Sequence, residues 1–198
     1  MSTNVWAKGF VLLVVACLLA AVVVYGNQAP PTQLQLLDLT GRWVAPLQAT
    51  DAKATVFLFI RTECPVSNRY APEIRRLYEK FASSGVTFWL VYPDSDESVE
   101  TIRQHVEEYE YHLGVLRDPR QTLVRLAGVR VTPEAAVFMP GGRMVYRGRI
   151  DDRYVAFGKT RPAPTTHDLE QVLQAILEGA PVTSKTTPAI GCFISDLQ

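Results

Sequence analysis

The chain's three cysteines, Cys17, Cys64 and Cys192, are the residues with the most chemistry to offer. Cys64 opens Cys64-Pro65-Val66-Ser67, directly after the apolar run Thr55 to Ile60. A thiol placed where a buried strand passes into a helix lies beside backbone N–H groups that have no partner inside the helix, at the positive end of its dipole. That setting favours the thiolate, which is the nucleophilic form. Pro65 suits the first helical position, where its missing donor costs nothing. Arg61 and Arg69 bring positive charge to the same stretch of chain. Cys192 stands in Gly191-Cys192-Phe193-Ile194, inside a tail from Val182 to Gln198 that otherwise has little periodicity.

These residues need elements to position them, and the pattern of the chain supplies an α/β order. Thr55 to Ile60 (TVFLFI) and Val86 to Tyr92 read as strands covered on both faces. Between them Tyr70, Ile74, Leu77 and Phe81 form one helical stripe from Asn68 to Ser84, which Pro72 is expected to kink. Asp94 to Asp96 offer caps for a helix with the stripe Val99, Ile102 and Val106, and a cap also accounts for Glu97. Val115 to Leu116 and a short helix around Gln121 to Ala127 follow. Ala135 to Met139 and Met144 to Arg149 flank Gly141-Gly142 as a hairpin. The last helix is expected to open at Thr165 with a Thr165-x-x-Asp168 capping box and to carry Leu169, Val172, Leu173, Ile176 and Leu177 on one face. Gly179 and Pro181 end it.

Ahead of this domain, Gly9 to Tyr25 is an uncharged apolar run preceded by Lys8. Its length is about the minimum for a membrane-spanning helix. A cleaved signal ending near Val24-Tyr25-Gly26 and a lipidated Cys17 are the alternatives. Each leaves the remainder outside the cytoplasm, on the periplasmic side or secreted, because Lys8 stays inside. There two thiols either pair or exist to react. The expected organisation is an anchor or signal over residues 1–26, a linker over 27–33, a redox domain over 34–180 and a tail over 181–198. Twenty basic residues balance twenty acidic ones, so no global field draws in nucleic acid.

At this point the chain resembles the thioredoxin-like superfamily, in its redoxin branch with the AhpC/TSA and TlpA-like proteins. Cys64-Pro65-Val66-Ser67 follows the strand where that family places Cys-x-x-Cys. Pro72 stands where thioredoxins have a helix proline, and Val131-Thr132-Pro133 resembles the family's cis-proline loop. The resemblance implies a thioredoxin-like fold, a central mixed sheet flanked by helices. It also implies that Cys64 is the nucleophile of a thiol oxidoreductase, with Pro65, Ser67, Thr132 and Pro133 around the substrate. Ser67 replaces the second redox Cys, Glu63 the usual Trp, and Arg61 and Phe57 depart from the peroxiredoxin signature.

A lone thiolate that attacks a disulfide forms a mixed disulfide, and one that attacks a peroxide forms a sulfenic acid. Either adduct needs a second thiol, for which Cys192 is the candidate. A permanent Cys64–Cys192 disulfide, an intermolecular bridge and an unreactive Cys192 stay open. The partners implied are a disulfide or peroxide substrate and a thiol reductant, with no bound cofactor. A likeness to Sco-type copper proteins suggests instead a non-catalytic copper chaperone or assembly factor. Against it, His105, His112 and His167 lack ligand spacing and are expected to face solvent, so no residue is assigned to a metal. Gly148 to Tyr154 is a mixed-charge stretch expected to be structural. No glycine-rich phosphate loop occurs.

Overall fold

The apolar run after residue 53 becomes β3 (Ala54–Phe59), and every residue of that strand is buried. The computed structural model describes residues 34–48, 51–183 and 185–194. Side chains leave a strand on alternate faces. Val56, Leu58 and Ile60 accordingly join one core, and Phe57 and Phe59 join another. The strand pairs in parallel with β4 (Val86–Tyr92), which pairs in parallel with β5 (Gly114–Arg117). On its other side it meets β7 (Glu134–Phe138) antiparallel, and β7 forms a hairpin with β8 (Met144–Gly148). The short β1 (Leu36–Leu37) and β2 (Trp43–Val44) complete a mixed sheet of order β2-β1-β5-β4-β3-β7-β8.

Helices cover both faces of this sheet. Ile74, Leu77 and Phe81 of α2 (Ala71–Phe81), Ile102 of α3 (Val99–Glu108), and Leu169, Val172 and Leu173 of α5 (Asp168–Leu177) share the core with Val56 and Leu58. Leu123, Val124 and Ala127 of α4 (Thr122–Ala127) pack with Phe57 and Phe59. The helix expected to kink at Pro72 is instead two helices, α1 (Pro65–Arg69) and α2, meeting at Tyr70. Pro72 lies in the first turn of α2, where a proline removes no helical hydrogen bond.

Two expected caps are replaced. Thr165 does not box the last helix. Its N–H and hydroxyl both donate to Asp152, the Thr166 N–H does the same, and the helix starts at Asp168 with His167 as an N-cap that lends no side-chain bond. Asp168 meanwhile takes Arg149 Nε at 2.7 Å. The mixed-charge stretch thus ties α5 to the end of β8. For α3 the cap is Ser98, whose hydroxyl accepts the Thr101 N–H, rather than Asp94 to Asp96.

Several small strands are too short to show a period in the sequence. Tyr154–Ala156 and Lys159–Thr160 form a hairpin, β9 and β10, with the exposed Phe157 in its turn. The tail returns as β11 (Cys192–Phe193) and pairs antiparallel with β6 (Val131–Thr132), with Cys192 opposite Thr132. Among the described residues no helix is long and apolar enough to cross a membrane, and Gly9 to Tyr25 lies outside them.

Glu134, buried just beyond β6, accepts the Arg130 N–H at 3.0 Å and faces Arg147 Nε at 3.6 Å. Removing it leaves a donor and a guanidinium short of a partner in a dry region, at a cost of about 2 kcal/mol. Urea unfolding of Glu134→Ala is therefore expected to show a lower midpoint at unchanged slope. An unchanged midpoint would show that Glu134 does not hold the strand on which the tail docks.

Candidate active site

After β3 the chain leaves the sheet at Ile60, turns through Arg61 to Glu63, and reaches Cys64 in an extended conformation as the N-cap of α1. Pro65 opens the helix on its exposed side, and the Ser67 N–H donates to Cys64 Sγ at 3.4 Å. Cys64 is only 2 % exposed, and its Sγ lies 3.0 Å from the Thr132 carbonyl oxygen. The Thr132-Pro133 peptide bond is cis, and both residues are buried. Ser67 is fully buried as well. Pro65, Ser67, Thr132 and Pro133 thus gather around Cys64, although only Pro65 meets solvent freely.

Cys192 comes from the far end of the chain to the same point, with its Sγ 2.7 Å from Cys64 Sγ. The tail is held along its length. Arg147 N–H donates to the Lys185 carbonyl, Thr187 N–H to the Arg147 carbonyl, and Ile194 N–H to the Arg130 carbonyl, while Ile194 itself is buried. Gly191 permits the approach to the cis-proline loop, since a Cβ there would stand 2.1 Å from the Thr132 carbonyl oxygen. The backbone edge of β6 is therefore occupied by the chain's own tail.

The two thiols differ in environment. Burial opposes charge on Cys64, but hydrogen bonds from Cys192 and Ser67 outweigh it, and the Cys64 thiol lies below its ordinary value. Burial, then the hydrogen bond and charge of Cys64, push Cys192 up to about 11. Of the pair, Cys64 carries the proton less readily.

Behind the Cys64 loop lies a polar scaffold that the sequence did not reveal. Glu97 Oε1 accepts both the N–H and the hydroxyl of Thr62 at 2.7 Å. The Asn68 amide donates to the Thr62 carbonyl, and Asn68 Oδ1 meets His105 Nε2 at 3.0 Å. His105 Nδ1 in turn meets the Tyr92 hydroxyl at 2.8 Å. His105 is thus not solvent-facing as expected but 5 % exposed, because it extends the Ile102 stripe by one helical step. Its position three residues after Ile102 was the available signal. Burial lowers the imidazole to about 4, so it is neutral near pH 7. Glu97 and Asp94 are likewise loop supports rather than caps, with Asp94 paired to Arg61 at 2.5 Å. Arg69 is exposed.

Among the described residues, Glu73, Asp151 and His167 offer metal-ligating atoms within 4.8 Å of one another. Arg76 already holds both Glu73 oxygens, and Asp151 Oδ1 accepts the Tyr70 hydroxyl and the Arg153 N–H. His167 is half-buried, with its Nδ1 4.0 Å from Glu73 Oε1, and His112 is exposed.

The model of the AhpC/TSA family matches residues 25–147. The solved structure of an uncharacterized conserved protein from Geobacillus kaustophilus is 30% identical with a TM-score of 0.72, over 85% of this chain and 89% of that one. A hypothetical protein from Sinorhizobium meliloti is 25% identical with a TM-score of 0.71, over 81% and 89%. A secreted disulfide oxidoreductase from Mycobacterium tuberculosis, homologous to E. coli DsbE, is 18% identical with a TM-score of 0.50, over 74% and 96%. That likeness is one of fold, the thioredoxin-like fold. No curated protein matches the chain.

The unfolded chain protonates His105 near pH 6.5, whereas the folded chain resists until about pH 4. Between those values the unfolded state binds the extra proton, so acidification destabilises the fold through this residue. Stability measured from pH 7 to pH 4 is expected to fall less in His105→Gln than in the wild type, by up to about 3 kcal/mol. Parallel pH profiles for the two proteins would refute a buried neutral imidazole.

Proposed function

Since the chain belongs to the AhpC/TSA family, we propose that it is a thiol oxidoreductase cycling between a Cys64/Cys192 dithiol and a Cys64–Cys192 disulfide. The observation that carries this is the 2.7 Å separation of the two sulfurs, reached from positions 128 residues apart. A disulfide bond is about 2.05 Å long. Closing the pair therefore takes a shift of well under an ångström, and the backbone hydrogen bonds of β6 and β11 can stay in place.

In the oxidising half of the cycle the Cys64 thiolate is the nucleophile. With a disulfide substrate it displaces one thiolate and forms a mixed disulfide. With a peroxide it takes the distal oxygen and becomes a sulfenic acid, releasing an alcohol or water. Cys192 then attacks Cys64 Sγ, expelling the second substrate thiolate or water. Each route removes two electrons from the pair, and Cys192 gives up its proton. The lowered Cys64 thiol and the raised Cys192 thiol support that division of roles. Thr132 and Pro133 wall the site, and Pro65 and Ser67 shape the turn that presents Cys64.

A thiol reductant returns the electrons, and no bound cofactor is required. Lys8 and the apolar run Gly9 to Tyr25 support placing this chemistry outside the cytoplasm, with the run as anchor or signal. The disulfide-rich conditions there suit such a pair.

The test is a mass map of the full chain after reduction and then a pulse of hydrogen peroxide or oxidised glutathione. A Cys64–Cys192 disulfide is expected in the wild type, and an adduct or over-oxidised sulfur on Cys64 in Cys192→Ser. A Cys64 that stays unmodified under both pulses defeats the mechanism. Gly191→Ala, which forces the tail away from Thr132, is expected to make the disulfide easier to reduce in a glutathione titration.

A further inference from the structure

Between the end of β8 and the first residue of α5 three aspartates are buried, and two of them have an arginine. Asp152 pairs with Arg161 and Asp168 with Arg149. Asp151, only 1 % exposed, has no ion-pair partner among the described residues. Its Oδ1 accepts the Tyr70 hydroxyl at 2.5 Å and the Arg153 N–H at 2.9 Å, which fixes the carboxylate, whereas its Oδ2 is buried with no hydrogen-bond partner. A buried carboxylate is costly unless a counter-charge or a metal ion meets it.

Two further groups face that carboxylate. Glu73, in the first turn of α2, and His167, the N-cap of α5, each bring one ligand atom to within 4.8 Å of it and of each other. The His167 ring is half-exposed, yet its Nδ1 is buried without a hydrogen-bond partner, 4.0 Å from Glu73 Oε1. With the ring proton on Nε2, Nδ1 offers a lone pair. Arg76 donates to both oxygens of Glu73, and Arg76 and Lys80 also pair with Glu170. A carboxylate has about four acceptor positions, so those that Arg76 leaves on Glu73 can still meet a cation.

We infer that Glu73, Asp151 and His167 form a binding site for a divalent cation of the zinc class, apart from the sulfur pair. One imidazole nitrogen with two carboxylates is a donor set for Zn²⁺, whereas Ca²⁺ and Mg²⁺ take oxygen ligands. Ligand atoms around one Zn²⁺ stand about 3.4 Å apart, so the cluster closes on the ion by a contraction on the order of 1 Å. The half-exposed side of His167 leaves the fourth position to water. The bound cation joins the start of α2, the chain after β8 and the start of α5. Tyr70, which orients Asp151, is also the residue at which α1, the helix headed by Cys64, meets α2. The site is thus structural: it fixes the base of that helix and carries no electrons.

The experiment uses the untagged full chain with Cys17, Cys64 and Cys192 changed to serine, so that no thiol competes for metal. This parent is stripped with a chelator and dialysed against Zn²⁺. One Zn²⁺ per chain is expected to be retained, and at a hundredfold excess over Kd the thermal midpoint is expected to rise by about 5 to 10 °C, because the ion binds the folded state. His167→Gln, at a half-exposed position, is expected to keep the metal-free midpoint of the parent and to bind Zn²⁺ at least tenfold more weakly. Asp151→Asn, which retains an acceptor for Tyr70, is expected to weaken binding at least as much. A parent that retains no Zn²⁺ overturns the inference, and so does either variant binding Zn²⁺ as tightly as the parent.

Discussion

Everything distinctive about this site depends on the short antiparallel contact between β11 and β6. Two strand residues on each side would be marginal alone. They are held because the flanking chain is stitched to β8 through Lys185 and Thr187 and because Ile194 is buried beyond them. Folding therefore supplies the ordering entropy that would otherwise oppose bringing residues 64 and 192 together. Once the tail is docked, Cys192 faces Cys64 at an effective concentration that free thiols do not reach.

Docking the tail also settles what the cis-proline loop can offer. In the thioredoxin-like arrangement this loop presents backbone groups to a bound chain, and here the bound chain is the protein's own. Gly191 marks how close that approach is, since any side chain there would meet the Thr132 carbonyl. The edge of β6 is thus internal to the molecule.

The legibility of the fold followed the length of its elements. β3, β4 and the stripe of α2 repeat apolar residues over enough positions to be read directly, as do the two arms of the β7–β8 hairpin. β6 and β11 contain two residues each, and two residues have no period. The burial of His105 is hidden in the sequence because a polar residue next to an apolar stripe reads as its solvent edge, and its partners Asn68 and Tyr92 come from other elements. The Thr165 box failed to form because the competing acceptor, Asp152, lies 13 residues upstream and meets Thr165 only in space. Cys64 was legible from its position after a buried strand, whereas its burial and the contact with Cys192 are tertiary facts.

The buried Ser67 explains how a site with one loop cysteine can be built. In a Cys-x-x-Cys loop both sulfurs belong to the same turn, and their separation is fixed by one helix. Here Ser67 keeps the backbone role of that position, its N–H directed at Cys64 Sγ, while its side chain is sealed in the interior. The second sulfur is moved to a different strand. Its distance from Cys64 then depends on tail docking as well as on the turn, so any force that lifts β11 also parts the thiols. Conversely, a covalent bond between them would pin β11 to β6. In the proposed cycle, redox state and tail position are linked through one set of contacts, and by reciprocity each biases the other by the same free energy.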